Sequence, residues 1–371
     1  MRPLDFYAEF RGEPPREGGV QKAESGFHLS QLFLEIEAND GHVGIAGPLW
    51  KAPARIILDE LAPLLIDRDP LATEFIWDIM HRSQAHGRQG YGMIAISAVD
   101  CALWDLKGKC LGQPVWRLLG GKTRDSVPAY ASMLGYSVDD EEQVHTRAKA
   151  FKQEGFEGQK WFFRHTPAEG IDGMNKNVAL VRAVREAVGD DYPIMFDAWQ
   201  SLTYEYAVEL CRRIAPYQPS WLEEPFLPDR IDVHARLKQK TSIPLSGAEH
   251  EYTRWGMLRF FEKQALDIYQ PDIYWCGGIS EIMKIAALAS VHDVTLIPHG
   301  HSIPAGIHFS AAQSPAQVPL IEYLAKWNEI NMHFLKDAPW PQMGRIFTPE
   351  KAGLGMHIDE EKVLANRSFT L

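Results

Sequence analysis

Cysteine is scarce in this chain. The four residues, Cys101, Cys110, Cys211 and Cys276, show neither paired nor metal-knuckle spacing, which excludes a disulfide framework and a zinc ribbon. Positive charge is also short, with 38 Lys and Arg against 49 Asp and Glu and a net charge of −11. Nucleic acid is thereby excluded as a partner, because neutralising phosphates requires a clustered basic surface. No apolar run approaches the roughly 20 residues that cross a bilayer, and Met1-Arg2-Pro3-Leu4-Asp5 opens no apolar leader. A cytoplasmic protein without a membrane partner is the expectation. Low-complexity segments are absent as well.

At 371 residues, with 45% hydrophobic and 23% charged residues, the chain has room for an α/β barrel of about 250 residues and a smaller domain. Residues 27 to 47 alternate apolar and polar around the turn Asn39-Asp40-Gly41, which predicts a hairpin. Helical periodicity then dominates from about 54 to 118. From Val127 short strands and helices alternate, with strands expected at 127–133, 156–163, 192–199, 219–225, 243–249, 266–273, 294–300 and 318–324. Stripes such as Val144, Ala148 and Phe151, or Ile282, Ile285, Ala286 and Ala289, are packing faces of the intervening helices. The expected fold is α/β: a (β/α)7β TIM-like barrel over 123–340, with an α+β capping domain over 1–122 completed by 341–371. Most of the eleven tryptophans, including Trp50, Trp77, Trp104 and Trp116, read as core or contact residues.

Three acids close apolar runs at intervals of 26 residues: Asp197 after Ile194-Met195-Phe196, Glu223 after Trp221-Leu222, and Glu249 after Leu245-Ser246-Gly247-Ala248. Equal spacing in a strand-plus-helix repeat places them together at the carboxyl ends of neighbouring strands. Three uncompensated carboxylates would repel and partly protonate, whereas a hard divalent cation stabilises them, so Mg2+ is expected.

Two further runs end Tyr269-Gln270-Pro271-Asp272 and Leu296-Ile297-Pro298-His299. An aspartate beside a histidine fixes the ring's tautomer and favours its protonated form, which makes His299 the expected general base and Asp272 its orienting partner. His301 ranks well below His299. Strand two offers Lys160, with Phe162 and Arg164 on the same face if it stays extended. Lys160 then meets a substrate carboxylate or the metal-site acids, its bland alternative being an ion pair at the barrel rim. Glu322, closing Pro319-Leu320-Ile321, either bonds a substrate oxygen or makes a structural salt bridge.

The run Ala102-Leu103-Trp104-Asp105-Leu106-Lys107-Gly108-Lys109, followed by Leu111-Gly112-Gln113-Pro114 and Leu118-Leu119-Gly120-Gly121, resembles the end of the capping domain in the mandelate racemase branch of the enolase superfamily. The likeness extends from the hairpin to Gly353-Leu354-Gly355. It implies that Asp197, Glu223 and Glu249 bind magnesium, that Asp272 and His299 form the base dyad, and that Glu322 bonds the substrate carboxylate. Such enzymes remove the proton α to a carboxylate. Members with bases on both faces of the substrate carry Lys-X-Lys on strand two, and this chain has Lys160-Trp161-Phe162. Losing the second lysine argues against a racemase and resembles the sugar-acid dehydratases of the branch, as does Trp275-Cys276-Gly277-Gly278.

The expected function is therefore Mg-dependent dehydration of an aldonic acid to a 2-keto-3-deoxy acid by a homo-oligomer. The alternatives are a one-base epimerase or cycloisomerase on the same scaffold, and a barrel that binds a sugar acid without turnover. Candidate segments for choosing the substrate are Arg11 to Lys22 and Gly47 to Pro53, with Arg164, His165 and Trp199 as further candidates, all of them read equally well as loop or rim residues.

Overall fold

The computed structural model describes residues 2–11, 20–23 and 26–369. Its leading part holds two antiparallel hairpins, β1 (Val20–Ala23) with β2 (Gly26–Leu29), and β3 (Leu32–Glu37) with β4 (Val43–Leu49). The second turns at Asn39-Asp40-Gly41, where Gly41 takes φ +86° and Ala38 N–H bonds the His42 carbonyl at 2.9 Å. Helices α1 (Lys51–Ile56), α2 (Ala62–Leu65), α3 (Thr73–Ser83), α4 (Tyr91–Cys110) and α5 (Val115–Leu118) follow. Helix α4 is buried on nearly all sides, which explains why it lacks a polar face.

The barrel strands are β5 (Ser126–Ser132), β6 (Gln159–Phe162), β7 (Ile194–Asp197), β8 (Trp221–Glu223), β9 (Leu245–Gly247), β10 (Ile268–Tyr269), β11 (Thr295–Leu296) and β12 (Ile321–Leu324). They pair in parallel and in sequence from β5 to β11, with β12 on the free side of β5. Leu296 N–H to the Gln317 carbonyl at 2.9 Å and Glu322 N–H to the Pro298 carbonyl at 3.4 Å join the two ends. All eight expected strands occur, but the later ones are short. Pro271 and Pro298 lack the N–H that would extend their ladders, and Gly247 and Ala248 turn the chain with φ +152° and +74°.

Between the strands run α6 (Glu141–Gln153), α7 (Gly170–Val188), α8 (Tyr204–Ile214), α9 (Ile231–Lys238), α10 (Thr253–Glu262), α11 (Gly278–Val291) and α12 (Ile303–Ala312), with α13 (Trp327–Asn331) after β12. Their predicted stripes face inward: Val144 and Ala148 on α6, and Ile282, Ile285, Ala286 and Ala289 on α11, are buried. Each buried isoleucine contributes roughly 1.5–3 kcal/mol. Strand β13 (Arg345–Phe347) pairs antiparallel with β5 before the tail reaches α4.

Two buried aspartates on α4 fasten the parts together. Asp105 accepts Ile45 N–H at 2.8 Å and Leu354 N–H at 2.7 Å and pairs with Lys109 at 2.7 Å, tying α4 to β4 and the tail. Asp100 accepts the N–H and hydroxyl of Ser280 at 2.9 and 2.5 Å. Gly277 receives Trp77 Nε1–H on its carbonyl and donates its N–H to Ser97 Oγ, both at 2.8 Å. A Cβ on Gly278 would lie 2.4 Å from Asp100 Oδ2. The Trp275-Cys276-Gly277-Gly278 stretch is thus the seat on which the leading helices dock.

Candidate active site

The carboxyl ends of the barrel strands bring the expected side chains to one buried place. Asp197 and Glu223 end β7 and β8 as register partners, and Lys160 lies on β6. Beyond their shortened strands, Glu249 stands two residues past β9, and Asp272 and His299 each stand three residues past β10 and β11. They are loop residues, Asp272 and His299 set at the mouth by the prolines that stop their ladders and Glu249 by the turn at Gly247 and Ala248.

Lys160 is 1% exposed and its ammonium is shared among acids. It bonds Glu223 Oε1 and lies 2.9 Å from Glu322 Oε1 and 3.3 Å from Asp197 Oδ2. Burial favours its neutral form, but Glu223 and Glu322 hold its pKa well above the ordinary lysine value. Glu322 shows the reciprocal effect: against burial, Lys160 and then His299 hold it down to about 2. The other oxygen of Glu223 accepts Trp221 Nε1–H at 2.9 Å and Gln270 Nε2–H at 2.7 Å. Gln270 also reaches the Tyr130 hydroxyl, which completes the floor.

The dyad is formed. His299 Nδ1 lies 2.6 Å from Asp272 Oδ2, and its Nε2 lies 3.5 Å from Glu249 and 3.8 Å from Glu322. Burial lowers the pKa of His299, yet Glu249, Glu322 and Asp272 together raise it to about 10. Trp275 packs on this ring at 4.9 Å between centroids and continues to His250 at 5.5 Å, His301 at 5.5 Å and Trp50 at 5.7 Å. Trp50, expected as a core or contact residue, is half-buried and packs on the core beside Trp275 and His301.

Sequence reasoning missed Glu224 and His250. One carboxylate oxygen each from Glu224 and Glu249 and a ring nitrogen of His250 lie within 4.8 Å of one another. Strand alternation alone would send Glu224 away from Glu223, but φ +38° at Glu224 turns the chain back. The Glu223-Glu224 and Glu249-His250 doublets were the available signal. Such left-handed residues collect at this end of the barrel, Trp199 and Gln200 among them. Gln200 bonds Glu224 at 2.9 Å. Side-chain contacts divide the expected metal trio, with Glu223 drawn to Lys160 and Glu249 grouped with Glu224 and His250. Two expected specificity residues point elsewhere: Arg164 is exposed and pairs with Asp139 at 3.1 Å, and His165 pairs with Glu169 at 2.8 Å, because β6 ends at Phe162. Most of the Arg11 to Lys22 segment lies outside the described residues.

The donors suit a hard dication. Burial is the leading cause that raises Asp197 to about 6 and Glu249 to about 7, with Lys160 opposing it at Asp197 and His299 at Glu249. Crowded buried oxygens of this kind are relieved by a cation that prefers oxygen ligands.

A parallel barrel with acids, a paired lysine and an Asp-His dyad at its strand ends defines an enzyme of acid–base chemistry. Residues 143–362 match the model of the enolase C-terminal domain-like family, and residues 20–120 match that of the mandelate racemase / muconate lactonizing enzyme N-terminal domain. The chain belongs to the enolase superfamily, in its mandelate racemase branch. It is 37% identical over 343 residues to an L-rhamnonate dehydratase of Saccharopolyspora erythraea, covering 90% of this chain and 84% of that one. A D-galactarolactone cycloisomerase of Agrobacterium fabrum is 33% identical over 365 residues, covering 95% and 94%. The crystal structure of rhamnonate dehydratase from Gibberella zeae complexed with Mg superposes with TM-score 0.81 at 35% identity, covering 89% of this chain and 80% of that one.

Proposed function

We propose that this enzyme is a magnesium-dependent dehydratase of an aldonic acid. It takes the proton α to the carboxylate and expels the β-hydroxyl, and the enol product tautomerises to a 2-keto-3-deoxy sugar acid. The observation that carries this reading is one aspartate-paired imidazole, His299 on Asp272, in a site where Phe162 stands at the position at which family members with two bases carry a second lysine. Racemisation needs a proton donor on the opposite face, and Phe162 supplies none. Dehydration needs only one face: neutral His299 accepts the α-proton at Nε2 and, as imidazolium, returns it to the departing hydroxyl.

In this reading Asp272 holds His299 through Nδ1, leaving Nε2 for the substrate. Lys160 and Glu322 address the carboxylate end, and their mutual ion pair at 2.9 Å keeps both oriented beforehand. Asp197, Glu223 and Glu249 would hold the magnesium. When bound, the metal supplies positive charge against the second negative charge that builds on the substrate, and it offsets the Glu249 field that keeps His299 protonated. Trp50 and Trp275 exclude water beside the base. The division of work follows the expected domains, with 1–122 and 341–371 covering the barrel of 123–340.

The test is a panel of aldonic acids, L-rhamnonate first because relatives of this chain are named for it, assayed for 2-keto-3-deoxy product with magnesium and with chelator. His299→Asn should abolish α-proton exchange in deuterium oxide while leaving magnesium affinity nearly unchanged. Exchange that persists in this variant would overturn the assignment of the base. The cycloisomerase relative favours a second reading, a one-base cycloisomerase, which predicts a product with no water lost.

A further inference from the structure

Far from the barrel mouth, the β3–β4 turn meets the end of α4. We propose that Asp40, His42 and Cys110 form a second metal site there, for a borderline transition ion of the zinc class. One ligand atom from each, a carboxylate oxygen, a ring nitrogen and the sulfur, lie within 4.8 Å of one another. Asp40 Oδ2 is already 3.0 Å from His42 Nδ1. Around one ion with Zn–S near 2.3 Å and Zn–N or Zn–O near 2.0–2.2 Å, tetrahedral ligand atoms stand roughly 3.4–3.8 Å apart. Side-chain rotation closes the remaining gap, since the Asp40 and His42 side chains are 59% and 44% exposed.

The backbone around these ligands is fixed. His42 N–H bonds Asp40 Oδ1 at 3.1 Å, and the turn is closed by Ala38 N–H on the His42 carbonyl. Cys110 is the last residue of α4, where the helix macrodipole is negative and favours a cation. It is a free thiol and the one cysteine of the four that is not fully buried. His42 also lines a cleft of about 750 Å³ with Val43, Lys109 and His357.

The donor set differs in kind from the barrel's. Thiolate with imidazole selects a borderline ion, whereas the all-carboxylate trio at the mouth selects a hard one. Without an ion, partial burial and then the Asp40 charge disfavour the Cys110 thiolate. Binding releases the thiol proton to solvent as the metal–sulfur bond forms, and the dication cancels both penalties.

The experiment uses the full chain, with the barrel site saturated by magnesium, titrated with Co2+ and followed by absorption. A thiolate-to-cobalt charge-transfer band that saturates at one ion per chain and is displaced by Zn2+ is expected. Cys110→Ser should remove the band. Asp40→Asn and His42→Gln, both at exposed positions, should weaken cobalt affinity by roughly tenfold or more while leaving the thermal midpoint of the metal-free protein unchanged. Absence of the band in the parent protein, its survival in Cys110→Ser, or unchanged affinity in both other variants would each overturn the proposal, the last by showing a lone thiol at work.

Discussion

Lys160→Met tests how the buried acids are held. The ammonium touches Glu223, Glu322 and Asp197 in a place where all four side chains are at most 3% exposed. Methionine fills a similar volume without charge, so the change leaves carboxylates in low dielectric without their cation. Removing one partner of a buried ion pair destabilises by roughly 3–5 kcal/mol. With about 2.1 cal/mol/K of unfolding entropy per residue over 371 residues, the melting midpoint should fall by about 4–6 °C. The measurement is thermal and urea unfolding in chelator, followed by circular dichroism. On the proposed assignment of the metal ligands, saturating magnesium should recover part of the deficit, because a dication would then stand among the same oxygens. The pH dependence has a definite sign. Glu322 is held down to about 2 from the ordinary 4.5, so its contribution is complete above about 4.5 and is lost as pH falls toward 2. The gap between parent and variant should therefore narrow through that window. Equal stability of the two proteins in chelator at neutral pH would refute this account of the site.

Phe162→Lys restores an amine where only an aromatic ring now stands, 5.3 Å from Lys160 Nζ; exchange of the α-proton from the opposite face, seen by NMR in deuterium oxide, is expected, and its absence would mean that the missing lysine does not decide the reaction. Asp105→Ala leaves the Ile45 and Leu354 N–H groups without an acceptor, each costing about 1–3 kcal/mol; amide exchange at both should quicken more than elsewhere. Asp100 is buried and its pKa is raised to about 7, chiefly by desolvation. An acid whose folded pKa lies above its unfolded value loses stability as pH rises from about 4 to about 7. Asp100→Asn should remove that part of the slope in urea unfolding, and an unchanged slope would show that the group does not titrate as described.

Much of the site was legible because strand ends are written locally. An apolar run closed by an acid marks a buried strand and its exit, and the 26-residue interval repeats one barrel unit, so Asp197, Glu223 and Glu249 could be placed without a structure. The same holds for Asp272 and His299, each closing its own apolar run, whereas the absent second lysine was legible only through the family resemblance. Strand lengths were overestimated since a proline's missing N–H matters only where a neighbouring strand would have used it, as at Pro271 and Pro298.

The sequence by itself determined the barrel and which acids and histidine stand at its strand ends, since these follow from periodicity and residue chemistry over short stretches. Tertiary structure alone decided that Lys160 serves three acids, that Glu224 turns back toward the mouth, that Trp50 packs on Trp275 and His301, and that Cys110 meets Asp40 and His42. Those encounters join residues far apart in the chain, and their distances depend on how helices cross strands and where the backbone turns left-handed, which no local pattern encodes.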